Sequence, residues 1–304
     1  MQERDIAVTG ATGFVGSHLI PVLEAGGHRV RAISRDGARR PEWGENVVPL
    51  AGDVVTGAGM DAALVGADAL VHLVAIPREI GGRRFEAVNV GGVRTVVEAA
   101  RRGGVRRMVH LSVLGVTDDP HYRYLASKAR GEEIVRASGL EWVVLRPSLL
   151  FGERDGFFNL IKTTLTWWSP GIVAIPGDGH AEFQPLAADD LAIAIERCIV
   201  DEDRAGSTYE IGGPDRLTYR QIVDRVMAAT GKRRLKLNLP VPLISALTAV
   251  TDRVLPIFPV SHDQIASLGR PNATELDAFV RAFGVEPRPL DLSYLGWAST
   301  SSSS

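Results

Sequence analysis

Cysteine is almost absent from this sequence, since Cys198 is the single one among 304 residues. One cysteine can form neither an internal disulfide nor the thiolate set of a zinc site. Cys198 lies in the apolar stretch 191–200, whose helical pattern predicts a buried and unreactive thiol. The seven histidines follow neither the H-x-x-x-H nor the H-E-x-x-H spacing, so the sequence predicts no metal site.

Neither sign of charge dominates, because the formal net charge is only −2. This balance gives no overall attraction to nucleic acid or to an anionic membrane, and we expect no nucleic-acid partner. The most apolar stretch, 240–260, is interrupted by Asp252, Arg253 and prolines, which argues against a membrane span. The charged start, 1–5, predicts no secretory signal, so we expect a cytoplasmic protein. The serine-rich end, 299–304, is predicted to be a disordered tail without function.

The first half of the chain alternates short β-branched apolar runs with longer helical patterns. Continuous apolar strands separated by helices predict a parallel sheet covered on both faces, and right-handed crossovers make it a doubly wound α/β fold. The predicted strands are Asp5–Thr9, Arg29–Ser34, Val47–Leu50, Ala69–Val74, Arg107–Ser112, Trp142–Arg146 and Thr208–Ile211. The predicted helices are Val15–Ala25, Met60–Leu64, Phe85–Arg102, Tyr122–Ser138, Tyr219–Ala229 and Ile244–Val254.

After Pro147 the pattern changes, because proline and glycine become frequent and strands become sparse. We therefore predict a dinucleotide-binding Rossmann domain over 1–150, to which segments near 180–215 return. The remainder, 151–298, is predicted to form a smaller, mostly helical substrate or lid lobe. Its aromatic side chains are candidates both for packing and for the pocket of an unknown small-molecule substrate: Phe151, Phe157, Trp167, Trp168 and Phe183.

The glycine-rich turn 9–16, TGATGFVG, follows the first strand and opens the first helix. In that context Gly10 permits the tight turn, Gly13 lets the backbone approach a pyrophosphate, and Gly16 lets the helix pack closely on the sheet. The free N–H groups and the positive dipole end of the helix then face the phosphates. The sequence therefore predicts a nicotinamide dinucleotide site.

The end of the second strand bears on the choice of cofactor. An acidic residue there would bind the ribose 2′-hydroxyl of NAD. This chain has Ser34-Arg35 instead, followed by Arg39 and Arg40, and an arginine can hold a 2′-phosphate. Asp36 is a rival for the same ribose, but it lies past the expected strand tip. We therefore expect NADP rather than NAD.

Tyr124 and Lys128 are four residues apart on a predicted helix, so they share one face. A nearby ammonium favours phenolate and is expected to lower the pKa of the tyrosine, making it a usable acid or base for alcohol–ketone interconversion. Ser112 ends the preceding strand at the carboxyl edge of the sheet, where its hydroxyl is placed to bind a substrate oxygen beside Tyr124.

These motifs resemble the short-chain dehydrogenase/reductase superfamily in its extended or atypical branch. The resemblance rests on the glycine turn, Gly52-Asp53, Asn89, Leu111-Ser112, the Tyr124-x-x-x-Lys128 pair and Leu145-Arg146-Pro147-Ser148. The run 127–160 is similar to the atypical subgroup that contains the nucleotide-binding accessory subunit of respiratory complex I. Later segments agree with that subgroup: Phe183–Leu186, Asp189–Ala192 and Ile211–Pro214.

The resemblance implies a set of site residues. Ser112, Tyr124 and Lys128 would form the catalytic group, with Asn89 near the proton relay and Asp53 at the adenine. The cofactor would be lined by Gly10, Thr12, Gly13, Phe14, Val15, Gly16, Ser34, Arg35, Asp53, Val54, Val74, Ala75, Tyr124, Lys128 and Pro147.

Three functions stay open from the sequence. The first is an NADP-dependent oxidoreductase acting on a carbonyl or alcohol. The second is a non-catalytic nucleotide-binding or redox-sensing subunit of a membrane-associated complex, in which the amphipathic segment 240–260 docks to a partner or membrane; that segment equally fits a core helix or lid. The third is a nucleotide-sugar epimerase or dehydratase, which the short connection 113–123 disfavours. A homodimer is compatible with each.

Overall fold

The computed structural model describes residues 3–165, 171–240, 242 and 272–297. Four sequence predictions fall wholly or mainly outside these ranges. They concern the aromatic residues Trp167 and Trp168, the helix 244–254, the apolar segment 240–260 apart from its first residue and Pro242, and the tail 299–304.

The chain divides into two compact units, one comprising 1–147 with 188–210 and the other 148–187 with 211–304. The first unit is built on a seven-stranded sheet. Its strands are β1 Asp5–Thr9, β2 Arg29–Ser34, β3 Val47–Ala51, β4 Ala69–His72, β5 Arg107–Leu111, β6 Glu141–Pro147 and β11 Ser207–Ile211. They lie in the order β11-β6-β5-β4-β1-β2-β3, and the strand pairs from β3 to β6 are parallel.

Helices cover the sheet of the first unit because its strands are apolar on both faces. Residues of α2, α3 and α4 pack in one hydrophobic core with sheet residues such as Ala7, Leu70 and Met108. Helices α1 and α6 pack on each other, and α6 also contacts β5 and β6. The predicted doubly wound parallel α/β fold is thus confirmed. The helices are α1 Phe14–Ala25, α2 Met60–Leu64, α3 Gly92–Arg102, α4 Arg123–Arg136 and α6 Ala188–Val200, and a π-helical turn over Glu86–Gly91 precedes α3.

The second unit has its own hydrophobic core, in which Phe151, Phe158 and Phe183 are buried. Its described part combines helices with three short strand pairs, β7–β10, β8–β13 and β9–β12. Aromatic rings pack edge to face within it, and the Phe157 and Phe158 centroids are 5.4 Å apart. The elements are β7 Leu150–Phe151, α5 Phe157–Thr163, β8 Ile172–Pro176, β9 Glu182–Phe183, β10 Leu186–Ala187, β12 Leu217–Thr218, α7 Tyr219–Thr230, β13 Leu235–Leu239 and α8 Ala278–Phe283.

Candidate functional site

The glycine turn between β1 and α1 has a backbone that other residues would not tolerate. Gly10 has φ +77°, in the left-handed region, and a Cβ at this position would lie 3.2 Å from Val74 Cγ2. A Cβ on Gly16 would lie 2.4 Å from the carbonyl oxygen of Ala11, which is closer than side chains pack. The turn therefore needs glycine for its conformation at one position and for the close approach of α1 at the other.

The start of α1 is open to an anionic group. Gly13 is the N-cap residue and has no side chain to accept a hydrogen bond from the first N–H groups of the helix, and the first turn carries no acidic residue. The Gly13 N–H itself donates to Gly10 O over 2.9 Å, which closes the turn. Thr12, Phe14 and Val15 are half-buried around it. Uncapped N–H groups at a helix N-terminus bind phosphate, so this turn fits the pyrophosphate of a dinucleotide.

The Asp36 carboxylate, just past the end of β2, accepts hydrogen bonds from two side chains. Ser34 Oγ donates to Asp36 Oδ1 over 2.7 Å, and Arg40 donates to the other oxygen over 2.8 Å. The Ser34 hydroxyl, followed by Arg40, lowers the pKa of Asp36 below its ordinary value. Arg39 donates to three backbone carbonyls of the following loop. Arg35 is exposed and forms no hydrogen bond or ion pair within the ranges that the structure describes.

Asp53 shapes the loop after β3. Its Oδ1 accepts hydrogen bonds from the backbone N–H groups of Val55 and Thr56, over 2.7 and 3.4 Å. The neighbouring Val54 is buried in the core beneath α3. The structure therefore shows a turn-forming role for Asp53, and the adenine contact implied by the resemblance stays a prediction.

Tyr124 and Lys128 lie on α4, one turn apart, at the carboxyl edge of the sheet. The Tyr124 ring packs on Phe85 with centroids 5.9 Å apart, in a cluster that includes Val74. Val74 lies next to Gly10 and packs against the same cluster as Tyr124, so the glycine turn and the tyrosine border one apolar cluster. Lys128 is buried, and its Nζ donates to the carbonyl oxygen of Leu111 over 2.7 Å. Ala75, three residues past β4, is half-buried, and Pro147, the last residue of β6, is buried.

The expectation that Lys128 lowers the pKa of Tyr124 is wrong for this structure. Burial raises the pKa of Tyr124 to about 12, because desolvation disfavours the phenolate. Burial also lowers the pKa of Lys128 to about 8, an effect that Glu132 opposes. The Lys128 ammonium donates one of its N–H groups to the carbonyl oxygen of Leu111. The structure therefore presents a protonated phenol beside a partly destabilised ammonium.

Asn89 lies in the π-helical turn and joins that turn to both neighbouring segments. Its Oδ1 accepts from the Ile76 N–H over 2.8 Å, and its Nδ2 donates to Ile76 O and to Ser127 Oγ over 3.1 and 3.0 Å. Ser127 Oγ donates in turn to the Tyr124 carbonyl oxygen over 2.6 Å. Asn89 is thus connected to the backbone of the helical turn that carries Tyr124.

Ser112 does not present its hydroxyl hydrogen to a substrate. Its Oγ donates to Glu132 Oε1 over 2.5 Å, and the residue is buried. A serine hydroxyl has one hydrogen to donate, so this bond uses it. The contact that we expected between Ser112 and a substrate oxygen beside Tyr124 is not the one that the structure forms, and a catalytic role for Ser112 stays a prediction.

Three buried titratable residues near Lys128 belong to none of the motifs found in the sequence: Glu132, His72 and His110. The two imidazoles are stacked, with centroids 5.5 Å apart, and His72 Nδ1 shares a hydrogen bond of 2.8 Å with Thr9 Oγ1. Burial, then the charge of Lys128, lowers the pKa of His72 to about 3 and that of His110 well below its ordinary value. Glu132 had a usable signal, because it lies one turn after Lys128 on the same helix face.

Three further observations concern the described part of the chain. Cys198 is buried, as predicted, and burial raises the pKa of its thiol to about 12. Within the described ranges no group of three or more His, Cys, Asp or Glu side chains is arranged to hold a metal ion. No helix in those ranges is both long and apolar enough to cross a membrane.

Comparison with known proteins identifies the class of this site. A family model described as NAD(P)H-binding matches residues 10–165, just over half of the chain, from the glycine turn through α5. The chain belongs to the NAD(P)H-binding family. This membership confirms the dinucleotide-binding class inferred from the turn.

The relatives agree with the predicted extended branch of the short-chain dehydrogenases. The Arabidopsis thaliana protein NADH dehydrogenase [ubiquinone] 1 alpha subcomplex subunit 9 is 28% identical over 94% of this chain and 73% of its own length. The 2-alkyl-3-oxoalkanoate reductase of Stenotrophomonas maltophilia is 27% identical over 93% of this chain and 94% of its own. The structure of a dTDP-glucose 4,6-dehydratase from Streptomyces venezuelae with NAD bound shares the fold, with a TM-score of 0.71 and 21% identity, covering 95% and 94% of the two chains.

Proposed function

We propose that this NAD(P)-binding protein is an oxidoreductase in which Tyr124 is the acid or base for a carbonyl–alcohol interconversion. When bound, the dinucleotide supplies or accepts the hydride. The observation that carries the proposal is that the glycine turn and Tyr124 border the same apolar cluster. A Cβ at Gly10 would lie 3.2 Å from Val74 Cγ2, and Val74 and Tyr124 both pack against the cluster that contains Phe85. The reductase among the relatives supports the same class of reaction.

The protonation state of Tyr124 favours the reductive direction. A phenol whose pKa is raised to about 12 holds its proton at neutral pH, so it is a proton donor to a developing alkoxide. Lys128 lies one turn further along α4, and its ammonium would hold the ribose hydroxyls of a bound dinucleotide. Asn89 fixes the backbone beneath Tyr124 through Ser127.

For the cofactor we propose NADP. Arg35 is the exposed cation at the end of β2 that is not already paired within the described ranges, whereas Arg39 and Arg40 are engaged by backbone carbonyls and by Asp36. A guanidinium can bind a 2′-phosphate bidentately. Asp36 opposes this assignment through its negative charge, and the two residues can be tested separately.

The catalytic proposal is tested by turnover against a panel of ketones, aldehydes and secondary alcohols, followed by NAD(P)H absorbance. Tyr124→Phe is expected to lower kcat by roughly 10²–10⁴-fold while NADPH affinity stays close to that of the native protein. Tyr294→Phe, a tyrosine half exposed in the second unit, is the matched control and is expected to be active. Full turnover by Tyr124→Phe would contradict the proposal.

A second function, a non-catalytic NAD(P)-binding subunit of a membrane-associated complex, is favoured by one observation and one relative. Ser112 gives its hydrogen to Glu132, so it is not available to donate to a substrate oxygen beside Tyr124 as expected. The Arabidopsis thaliana relative is named as a subunit of a ubiquinone-linked NADH dehydrogenase. This function predicts that NADPH raises the melting temperature, that no compound of the panel turns over, and that Tyr124→Phe leaves both results unchanged.

A further inference from the structure

A buried carboxylate ties α4 to two strands of the sheet directly beyond Lys128. Glu132 is 1% exposed, and its Oε1 accepts from Ser112 Oγ at the end of β5. The Arg146 guanidinium from β6 binds both oxygens of the same carboxylate, over 2.9 and 2.7 Å. Arg136, one turn further along α4, forms a third contact at 2.8 Å.

This carboxylate is on the same side of α4 as the candidate site. Tyr124, Lys128 and Glu132 are spaced by four residues, so their side chains follow one another along a single helix face. Burial in this low-polarity region makes each charge felt strongly by its neighbours. Arg136 and Arg146 contact Glu132, and Lys128 lies one turn before it on α4.

The groups that face Lys128 come from three elements, and only one of them is negative. On α4 it has Tyr124 before it and Glu132 after it. From β4 and β5 it faces the stacked pair His72 and His110, which burial keeps neutral. The partner of its Nζ is a neutral backbone carbonyl, Leu111 O. Among the described residues that face the Lys128 ammonium, Glu132 is therefore the one with a negative charge.

We propose that Glu132 is a positioning residue of the candidate site, which anchors α4 to β5 and β6 and holds Lys128 in its charged form. Ser112 is part of this anchor, because its hydrogen bond attaches the end of β5 to the Glu132 carboxylate. Without Glu132, the buried ammonium faces two imidazoles, a phenol and a carbonyl group, and its deprotonation becomes easier. The link to cofactor binding rests on the proposed role of Lys128 toward ribose hydroxyls.

The test is to measure the titration midpoint of Lys128 by NMR in the full-length protein with ¹³C,¹⁵N-labelled lysine. The chain has four lysines, Lys128, Lys162, Lys232 and Lys236, so Lys128→Arg assigns the signal by its loss. Glu132→Gln is expected to shift the Lys128 midpoint to lower pH. The matched control Glu133→Gln, at the exposed neighbouring position, is expected to leave it unchanged. An unchanged midpoint in a folded Glu132→Gln protein would show a purely structural role and overturn the proposal.

A second variant keeps the proposal testable if Glu132→Gln does not fold. Arg136 is more than a third exposed and contacts Glu132, so Arg136→Gln removes a compensating cation at low structural risk. The Lys128 midpoint is then expected to rise, since more of the carboxylate charge acts on the ammonium. No shift, or a shift to lower pH, would contradict the proposal.

NADPH fluorescence titrations across pH separate this inference from the proposed function. The loss of NADPH affinity at alkaline pH is expected to begin at lower pH in Glu132→Gln than in the native protein. If the Lys128 midpoint moves and the affinity does not follow it, the role of Glu132 holds and the proposed contact between Lys128 and the cofactor is wrong.

Discussion

Ser34 donates its hydroxyl hydrogen to Asp36 at the end of β2, over 2.7 Å, so the carboxylate is fixed beside the first residue past the strand. Arg35 lies between these two residues in sequence and is exposed. At the cofactor site that we propose, the dinucleotide ribose would therefore meet a fixed negative charge and an exposed positive charge at adjacent positions, and their balance would select between the 2′-hydroxyl of NAD and the 2′-phosphate of NADP.

For the cofactor, Arg35→Ser is expected to weaken NADPH binding about tenfold or more and to leave NADH binding nearly unchanged, because a charge-assisted hydrogen bond contributes about 1.5–3 kcal/mol. Asp36→Asn is expected to act in the opposite sense, strengthening NADPH binding. Calorimetric titration of each variant with both cofactors measures the ratio. An equal loss for NADH and NADPH in Arg35→Ser would show that the guanidinium does not meet the phosphate.

The close packing at the glycine turn predicts a stability effect. Gly16→Ala places a Cβ 2.4 Å from a backbone oxygen, so the helix has to move, at a cost of about 1–3 kcal/mol of unfolding free energy. The control is Gly156→Ala, at a position with φ −91° and nothing within 4 Å of the added Cβ, where a change within about 0.5 kcal/mol is expected. Urea unfolding compares the two. Equal stabilities would mean that α1 does not approach the turn this closely.

Burial of the Tyr124 phenol predicts its titration. Since its pKa is raised to about 12, protein labelled with ¹³C at the tyrosine Cζ is expected to show no movement of the Tyr124 signal up to about pH 10. The half-exposed Tyr294 provides the comparison within the same spectrum, and Tyr124→Phe assigns the signal. Ionisation of Tyr124 near neutral pH in the cofactor-free protein would contradict the structure and restore the expectation that Lys128 lowers this pKa.

Asp155 predicts a pH-dependent stability in the second unit. It is buried before α5, its Oδ1 accepts from the Phe158 N–H, and burial raises its pKa from 3.8 to about 6. The folded state therefore holds a proton more tightly than the unfolded state does, so this contribution to stability is present below the unfolded pKa and is lost as pH rises through about 6.

The Asp155→Asn variant isolates that contribution, because it lacks the titrating group. Between acidic and neutral pH, the unfolding free energy of the native chain is expected to fall by about 2–3 kcal/mol relative to the variant. Urea titrations at several pH values give the difference. A native-minus-variant difference that stays constant across this range would show that the carboxyl group titrates normally.

The sheet of the first unit could be predicted from sequence because most of its strands are apolar runs of four to seven residues that are separated by helical patterns. The strands β7, β9, β10 and β12 have two residues each, too few for any period, and pairing within the second unit creates them. The continuous helix predicted over 85–102 contains a π-helical turn at Asn89, whose side chain bonds both backbone groups of Ile76.

In the candidate site, too, some features could be predicted from local sequence pattern, whereas others depend on tertiary contacts. Spacing alone placed Tyr124 and Lys128 on one helix face, as the structure has them. The direction of the Tyr124 pKa shift could not be read from that spacing, because it is set by the burial of the phenol in the folded protein. Likewise, the partner of Ser112 depends on how α4 packs against β5, which brings Glu132 to its hydroxyl.

Hydride transfer from the cofactor to a carbonyl carbon can be followed by isotope labelling. The protein is incubated with NADPH deuterated at C4 and the carbonyl panel, and the products are analysed by mass spectrometry beside a parallel measurement of NADPH binding. The predicted result is an alcohol with deuterium on the former carbonyl carbon, formed by the native protein and reduced roughly 10²–10⁴-fold in Tyr124→Phe. Undiminished transfer in Tyr124→Phe, or bound NADPH without transfer to any compound of the panel, would contradict it.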